Sequence, residues 1–247
     1  MKPVPVIEVR MWGSRVGAVA PDPSLDCYVF AYDPAWRRRK FELAPLTMPL
    51  ADHRETFVFP ALPKTTYLGL PAMLADALPD DFGNALIDAW MATKGVDKSS
   101  ITALDRLAYM GQRGMGALEF RPVRGSHKES ATPIAMKQLV EEARRLVQGN
   151  FSVDNEAKAA LANIIKVGTS AGGARAKAVI TWNPKTDEVR SGQFDAARGF
   201  EHWLLKLDGV GKDRELGTGK GYGRIEYAYS LMAKAVGISM SPCRLLV

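Results

Sequence analysis

The sequence predicts an α+β fold in two parts, and three observations carry that prediction. The first stretch alternates apolar and polar residues with β-branched and aromatic enrichment. Apolar residues then recur at helical spacing between residues 70 and 110. After residue 164 the pattern runs strand, glycine-rich loop, strand, loop, strand, helix. A small β-sheet with helices is expected over residues 1–124. A polar linker (GSHKESAT) follows at 125–132, and a second segment of antiparallel strands plus one helix spans 133–247.

Residues Val4–Ala18 set Ile7, Val9 and Met11 against Val6, Glu8 and Arg10, with Gly13 and Gly17 read as turns. Cys27–Tyr32 forms a second arm, which Pro34 ends, and Phe41-Glu42-Leu43 reads as a further short extended piece. Leu70, Met73, Leu74, Ala77 and Leu78 share one helical face, stopped by Pro79. Asp80 or Asp81 caps the next helix, which carries Ala85 to Met91 and ends at Gly95. Ser100 or Thr102 caps a third, with Leu104, Leu107, Ala108 and Met110 on one stripe. Gly111–Gly116 breaks it, and Ala117–Arg121 returns to strand. Pro133–Gly149 is amphipathic, and Glu156–Ile165 fits a short additional helix.

Composition narrows the function classes. The chain has 247 residues, 47% hydrophobic and 24% charged, with a formal net charge of +6. The densest basic run, Arg37-Arg38-Arg39-Lys40, follows Pro34-Ala35-Trp36 and reads as an exposed turn rather than a recognition helix. Cys27 and Cys243 lie far apart, and His53, His127 and His202 are scattered, so no metal-ligand spacing is present. Both cysteines read as small buried apolar residues. No apolar run reaches the roughly 20 residues a membrane helix needs, and nothing resembles a signal peptide. A cytoplasmic protein without membrane contact is expected.

The chemistry concentrates in Val167–Ile180, VGTSAGGARAKAVI. Small residues let backbone N–H groups approach phosphate oxygens, and Arg175 and Lys177 supply positive charge. Strands flank the loop on both sides, as in a kinase-type loop, and no GxxxxGK[ST] occurs in the chain. A glycine-rich hairpin turn is the bland alternative. Within His202–Asp208, Lys206 ends an apolar strand some 30 residues later, and Glu226 follows on the helix Ile225–Gly237, placed in its first turn. A kinase needs that order: loop, phosphate-holding lysine, then a glutamate that fixes the lysine. A snorkelling lysine and a helix-dipole glutamate are the alternatives.

Three look-alikes carry less. Asp81-Phe82-Gly83 spells a metal-binding tripeptide but precedes the loop, so it reads as a helix start. Gly217–Gly223 reads as a connector, and His202 as a packing or edge histidine.

These motifs together resemble the HipA-like serine/threonine kinases, the toxin components of bacterial type II toxin–antitoxin pairs. VGTSAGGARAKAVI, HWLLKLD and IEYAYSLMAKAVGISMSP are similar to the family's loop, lysine strand and following helix. FAYDPAW with TMPL, LADALPDDFGNALI and ITALDRLAYMGQRGMGALEF are similar to its first subdomain. The resemblance implies a kinase-like N-lobe over 133–247 and nucleotide contacts from Gly172, Gly173, Ala174, Arg175, Ala176, Lys177 and Lys206. It further implies Glu226 as the lysine's partner and Ser170 as an autophosphorylation site. Ala176 departs from the proline or acidic residue expected in relatives.

For the full-length family the resemblance implies ATP and magnesium, a HipB-like helix-turn-helix antitoxin as partner, and operator DNA reached through it. The chain stops at Arg244-Leu245-Leu246-Val247. On the resemblance only the N-terminal portion is present, the C-lobe is absent, and no catalytic or metal-holding residue lies in this chain. Tight nucleotide binding is therefore not expected, and activity alone is not expected. The alternative is a non-catalytic binding module that pairs with an antitoxin or a separately encoded catalytic half. Direct DNA binding through the basic run is disfavoured, because no recognition helix carries clustered Arg and Lys.

Overall fold

The computed structural model describes residues 2–114, 116–124, 141, 177–192, 196–208 and 221–246. The described residues are mixed α/β, with two antiparallel sheets and six α-helices. The chain divides into two compact units, whose described parts fall within residues 2–124 and 141–246. The linker at 125–132, the amphipathic Pro133–Gly149 stretch and Glu156–Ile165 lie outside the described residues, save Glu141.

In the first unit β1 (Ile7–Met11), β2 (Ser14–Asp22), β3 (Cys27–Tyr32) and β4 (Leu118–Arg121) form one sheet in the order β3-β2-β1-β4. Ile7, Val9 and Met11 point inward, as their alternation predicts. The register shifts between Val9 and Arg10, so Val9 faces Gly17 while Arg10 faces Arg15. Val16 is the extra residue of this β-bulge, and it is fully buried. Gly13 sits in the turn, but Gly17 does not. It lies inside β2 opposite Tyr32 because the neighbouring chain comes too close for a side chain. A Cβ there would stand 2.2 Å from the Ala31 carbonyl oxygen and 2.8 Å from the Phe30 ring.

Three further expectations change. Phe41-Glu42-Leu43 is not a strand; the chain from 41 to 50 runs in turns. The basic run is partly helical, because Asp33 accepts the Ala35 N–H and Pro34 opens α1 (Pro34–Arg38). Arg37 turns inward and donates to the carbonyls of Asp52 and Arg54. The single helix expected over 70–78 shrinks to α3 (Ala72–Ala75), preceded by α2 (Lys64–Tyr67), which has no apolar periodicity to announce it.

The longer helices match. Asp80 caps α4 (Asp81–Ala92) by accepting the Gly83 N–H at 2.8 Å, so Asp81-Phe82-Gly83 is a helix start. Thr102 and Asp105 form a capping box on α5 (Ala103–Met110), whose Leu104, Leu107 and Ala108 pack on the sheet. Cys27 is buried, which pushes its thiol pKa up. Cys243 is only half-buried. Among the described residues no helix is long and apolar enough to cross a membrane.

The second unit holds β5 (Lys177–Asn183), β6 (Glu188–Ser191), β7 (Glu201–Lys206) and α6 (Tyr222–Ala235), with strand order β6-β5-β7. The four-residue β6 carries no extended apolar run and is not legible beforehand.

Candidate functional site

The register of β5 and β7 organises the site. Lys177 pairs with Lys206, Val179 with Leu204, and Thr181 with His202. Residues directly opposite in a ladder share a face, and that face repeats every second residue. One face of the sheet therefore carries Lys177, Val179 and Thr181 beside Lys206, Leu204 and His202. The other carries Ala178, Ile180 and Trp182, all buried. Trp182 and Trp203 meet edge to face there at 6.1 Å, with the Arg244 guanidinium over both rings.

Like charges directly opposite each other in a ladder repel. Glu226 of α6 offsets part of that repulsion: Lys206 Nζ donates to Glu226 Oε2 at 2.7 Å. Both side chains are nearly half exposed, at 46% and 42%. Such a pair contributes about 0–1 kcal/mol to stability, so its main physical effect is to hold the ammonium in one place. The helix begins at Tyr222, four residues before Glu226, so Glu226 stands beyond the first turn. That position weakens the helix-dipole alternative, since the dipole acts within the first turn.

Asp208 sets where that helix starts. Its Oδ2 accepts the Gly221 N–H at 2.9 Å, and Gly221 has φ +98°, a conformation that suits glycine. Gly221 to Gly223 thus belong to the helix start, while 217–220 lie outside the described residues.

Beside the lysines the same face is apolar: Val179 is half-buried and Leu204 is 43% exposed. Arg190 of β6 lies opposite Thr181, pairs with Glu188 at 2.6 Å and stacks on Phe200 at 4.4 Å. A cationic end thus adjoins an apolar end on one face of the sheet. His202 sits on the edge strand β7, exposed, as an edge histidine.

The structure thus brings together Lys177, Lys206 and Glu226. Ser170, Gly172, Gly173, Ala174, Arg175 and Ala176 lie outside the described residues. No motif in the sequence marks Val179, Leu204, Arg190 and Asp208 as site residues. Counting back two residues from Lys206 would have found Leu204; Val179 needed the cross-strand register. Among the described residues no group of His, Cys, Asp and Glu is placed to hold a metal ion.

The model of the HipA N-terminal domain matches residues 7–121. The model of the HipA-like C-terminal domain matches residues 169–247. Both domains are therefore represented, where the resemblance had implied an N-terminal portion only. No curated protein matches the chain.

Proposed function

The chain belongs to the HipA family, and from that premise we propose that its second unit is the nucleotide-holding lobe of a toxin-type serine/threonine kinase. The observation that carries this reading is the opposed pair Lys177 and Lys206, with Glu226 fixing Lys206 and Val179–Leu204 forming an apolar floor beside them. In this reading the lysines take the phosphates of ATP, and the base lies toward Val179 and Leu204. Gly172, Gly173, Ala174, Arg175 and Ala176 are the further phosphate contacts that the family resemblance implies, and Ser170 is the autophosphorylation site. Magnesium enters as the counter-ion of the nucleotide. The partner is a HipB-like helix-turn-helix antitoxin, through which the protein sits near operator DNA.

A fluorescent ATP analogue titrated into the full chain tests the reading. A charge-assisted hydrogen bond to phosphate is worth about 1.5–3 kcal/mol, so Lys206→Ala should weaken binding about ten- to a hundredfold. Glu226→Gln should weaken it less, because the lysine remains. Equal affinity for the parent protein and Lys206→Ala would count against the proposal.

A second reading rests on α6. Ile225, Tyr229, Met232 and Val236 follow i, i+4, i+7, i+11 spacing and are all exposed. An apolar stripe in water is a docking face for another protein surface, as a binding module pairing with an antitoxin or a separate catalytic half would need.

A further inference from the structure

The first unit presents an aromatic and cationic corner that the nucleotide reading does not use. β1 and β2 are joined by two residues, Trp12 and Gly13, with φ of +48° and +73°. Positive φ at both central positions marks a type I′ hairpin turn, where Asn-Gly is the favoured pair. A bulky aromatic residue at φ above zero is an outlier. Trp12 is also 71% exposed, so neither backbone preference nor burial accounts for a tryptophan there. Such an outlier points to a use outside folding.

The surroundings say which use. Trp12 meets Phe41 edge to face at 5.6 Å, and Phe41, itself 45% exposed, meets Trp36 at 6.1 Å. Arg39 lies over the Trp36 ring at 5.7 Å. Arg38, Arg39 and Lys40 are exposed and form no ion pair among the described residues. The adjoining carboxylates are already occupied. Asp33 caps α1 and faces Arg15, Glu8 pairs with Arg10, and Glu42 accepts the Leu50 N–H. The corner therefore offers exposed aromatic rings beside three exposed cations.

We infer that this corner, Trp12 and Phe41 with Arg38, Arg39 and Lys40, is a stacking platform for single-stranded nucleic acid. Bases stack on the rings and phosphates run along the cations, without sequence readout. A duplex hides its base faces and gains only the charge term. This surface is independent of the nucleotide site proposed above.

Fluorescence anisotropy of labelled oligouridylate and oligothymidylate with the full chain tests it. Base–aromatic stacking is worth about 1–3 kcal/mol, so Trp12→Asn should weaken binding about five- to a hundredfold. Because asparagine suits the turn, Trp12→Asn should melt at or above the parent temperature, and Trp12→Phe should retain most of the affinity. Arg38→Ala/Arg39→Ala/Lys40→Ala should reduce the slope of log K against log salt by about 2. The inference is overturned by no binding at about 50 mM salt, an ionic strength that favours it. It is equally overturned if Trp12→Asn binds as the parent does, or if duplex binds as tightly as single strand with no dependence on Trp12. It is overturned too if sedimentation shows a dimer that Trp12→Asn dissociates, since the rings would then be a self-association face.

Discussion

Asp105→Ala is expected to cost the first unit about 3–5 kcal/mol, the usual cost of removing one partner from a buried ion pair. Asp105 is 4% exposed and pairs with Arg124 at 2.5 Å. Its Oδ1 also accepts the Val4 N–H at 3.1 Å, and its Oδ2 accepts the Thr102 hydroxyl at 2.8 Å and the Thr102 N–H at 3.1 Å. Arg124 in turn donates to the Lys2 carbonyl at 2.5 Å. One carboxylate thus ties together the chain before β1, the start of α5 and the chain after β4. Its removal takes the acceptor from the Arg124 guanidinium, two backbone N–H groups and the Thr102 hydroxyl. Urea unfolding should show a lowered midpoint with an unchanged slope. A loss under 1 kcal/mol would mean that water replaces the carboxylate and the knot is not buried in solution.

Gly17→Val should be the other severe substitution. Gly17 is flanked by β1 and β3, and its missing Cβ makes room for the Ala31 carbonyl and the Phe30 ring. Phe30 is fully buried, so the ring has nowhere to retreat. Overpacking a core costs about 1–3 kcal/mol, occasionally more, and a clash with backbone belongs at the upper end. The expected result is a drop of about 3 kcal/mol in the first unit's stability, read from denaturant midpoints. Gly13→Ala, where nothing lies within 4 Å, should lose only the cost of positive φ, about 1 kcal/mol.

The two glycines show what was legible and what was not. Both interrupt an alternating stretch and look alike in one dimension. Only the bulge at Val16, a property of pairing with β1, puts Gly17 inside a strand. The capped helices α4 and α5 were readable because Asp80 and Thr102 act on residues three positions away. The helices α2 and α3 were not, since four residues offer too little periodicity. In the second unit, the order of Lys206 and Glu226 was legible, and they do meet. Their contact spans 20 residues, and the start of α6 at Tyr222 depends on Asp208 reaching Gly221. The apolar floor was hidden for a related reason. Leu204 and Val179 look like core residues until the register places them on the lysine face.

Hydrogen exchange of the full chain with and without ATP and magnesium is the most direct test of the nucleotide-holding lobe. Slowed exchange is expected, strongest over Lys177–Asn183 and Glu201–Lys206, and in Lys206→Ala it should require about ten- to a hundredfold more nucleotide. Unchanged exchange in both strands at saturating nucleotide, or the same nucleotide dependence in the parent and Lys206→Ala, would contradict the nucleotide-holding lobe.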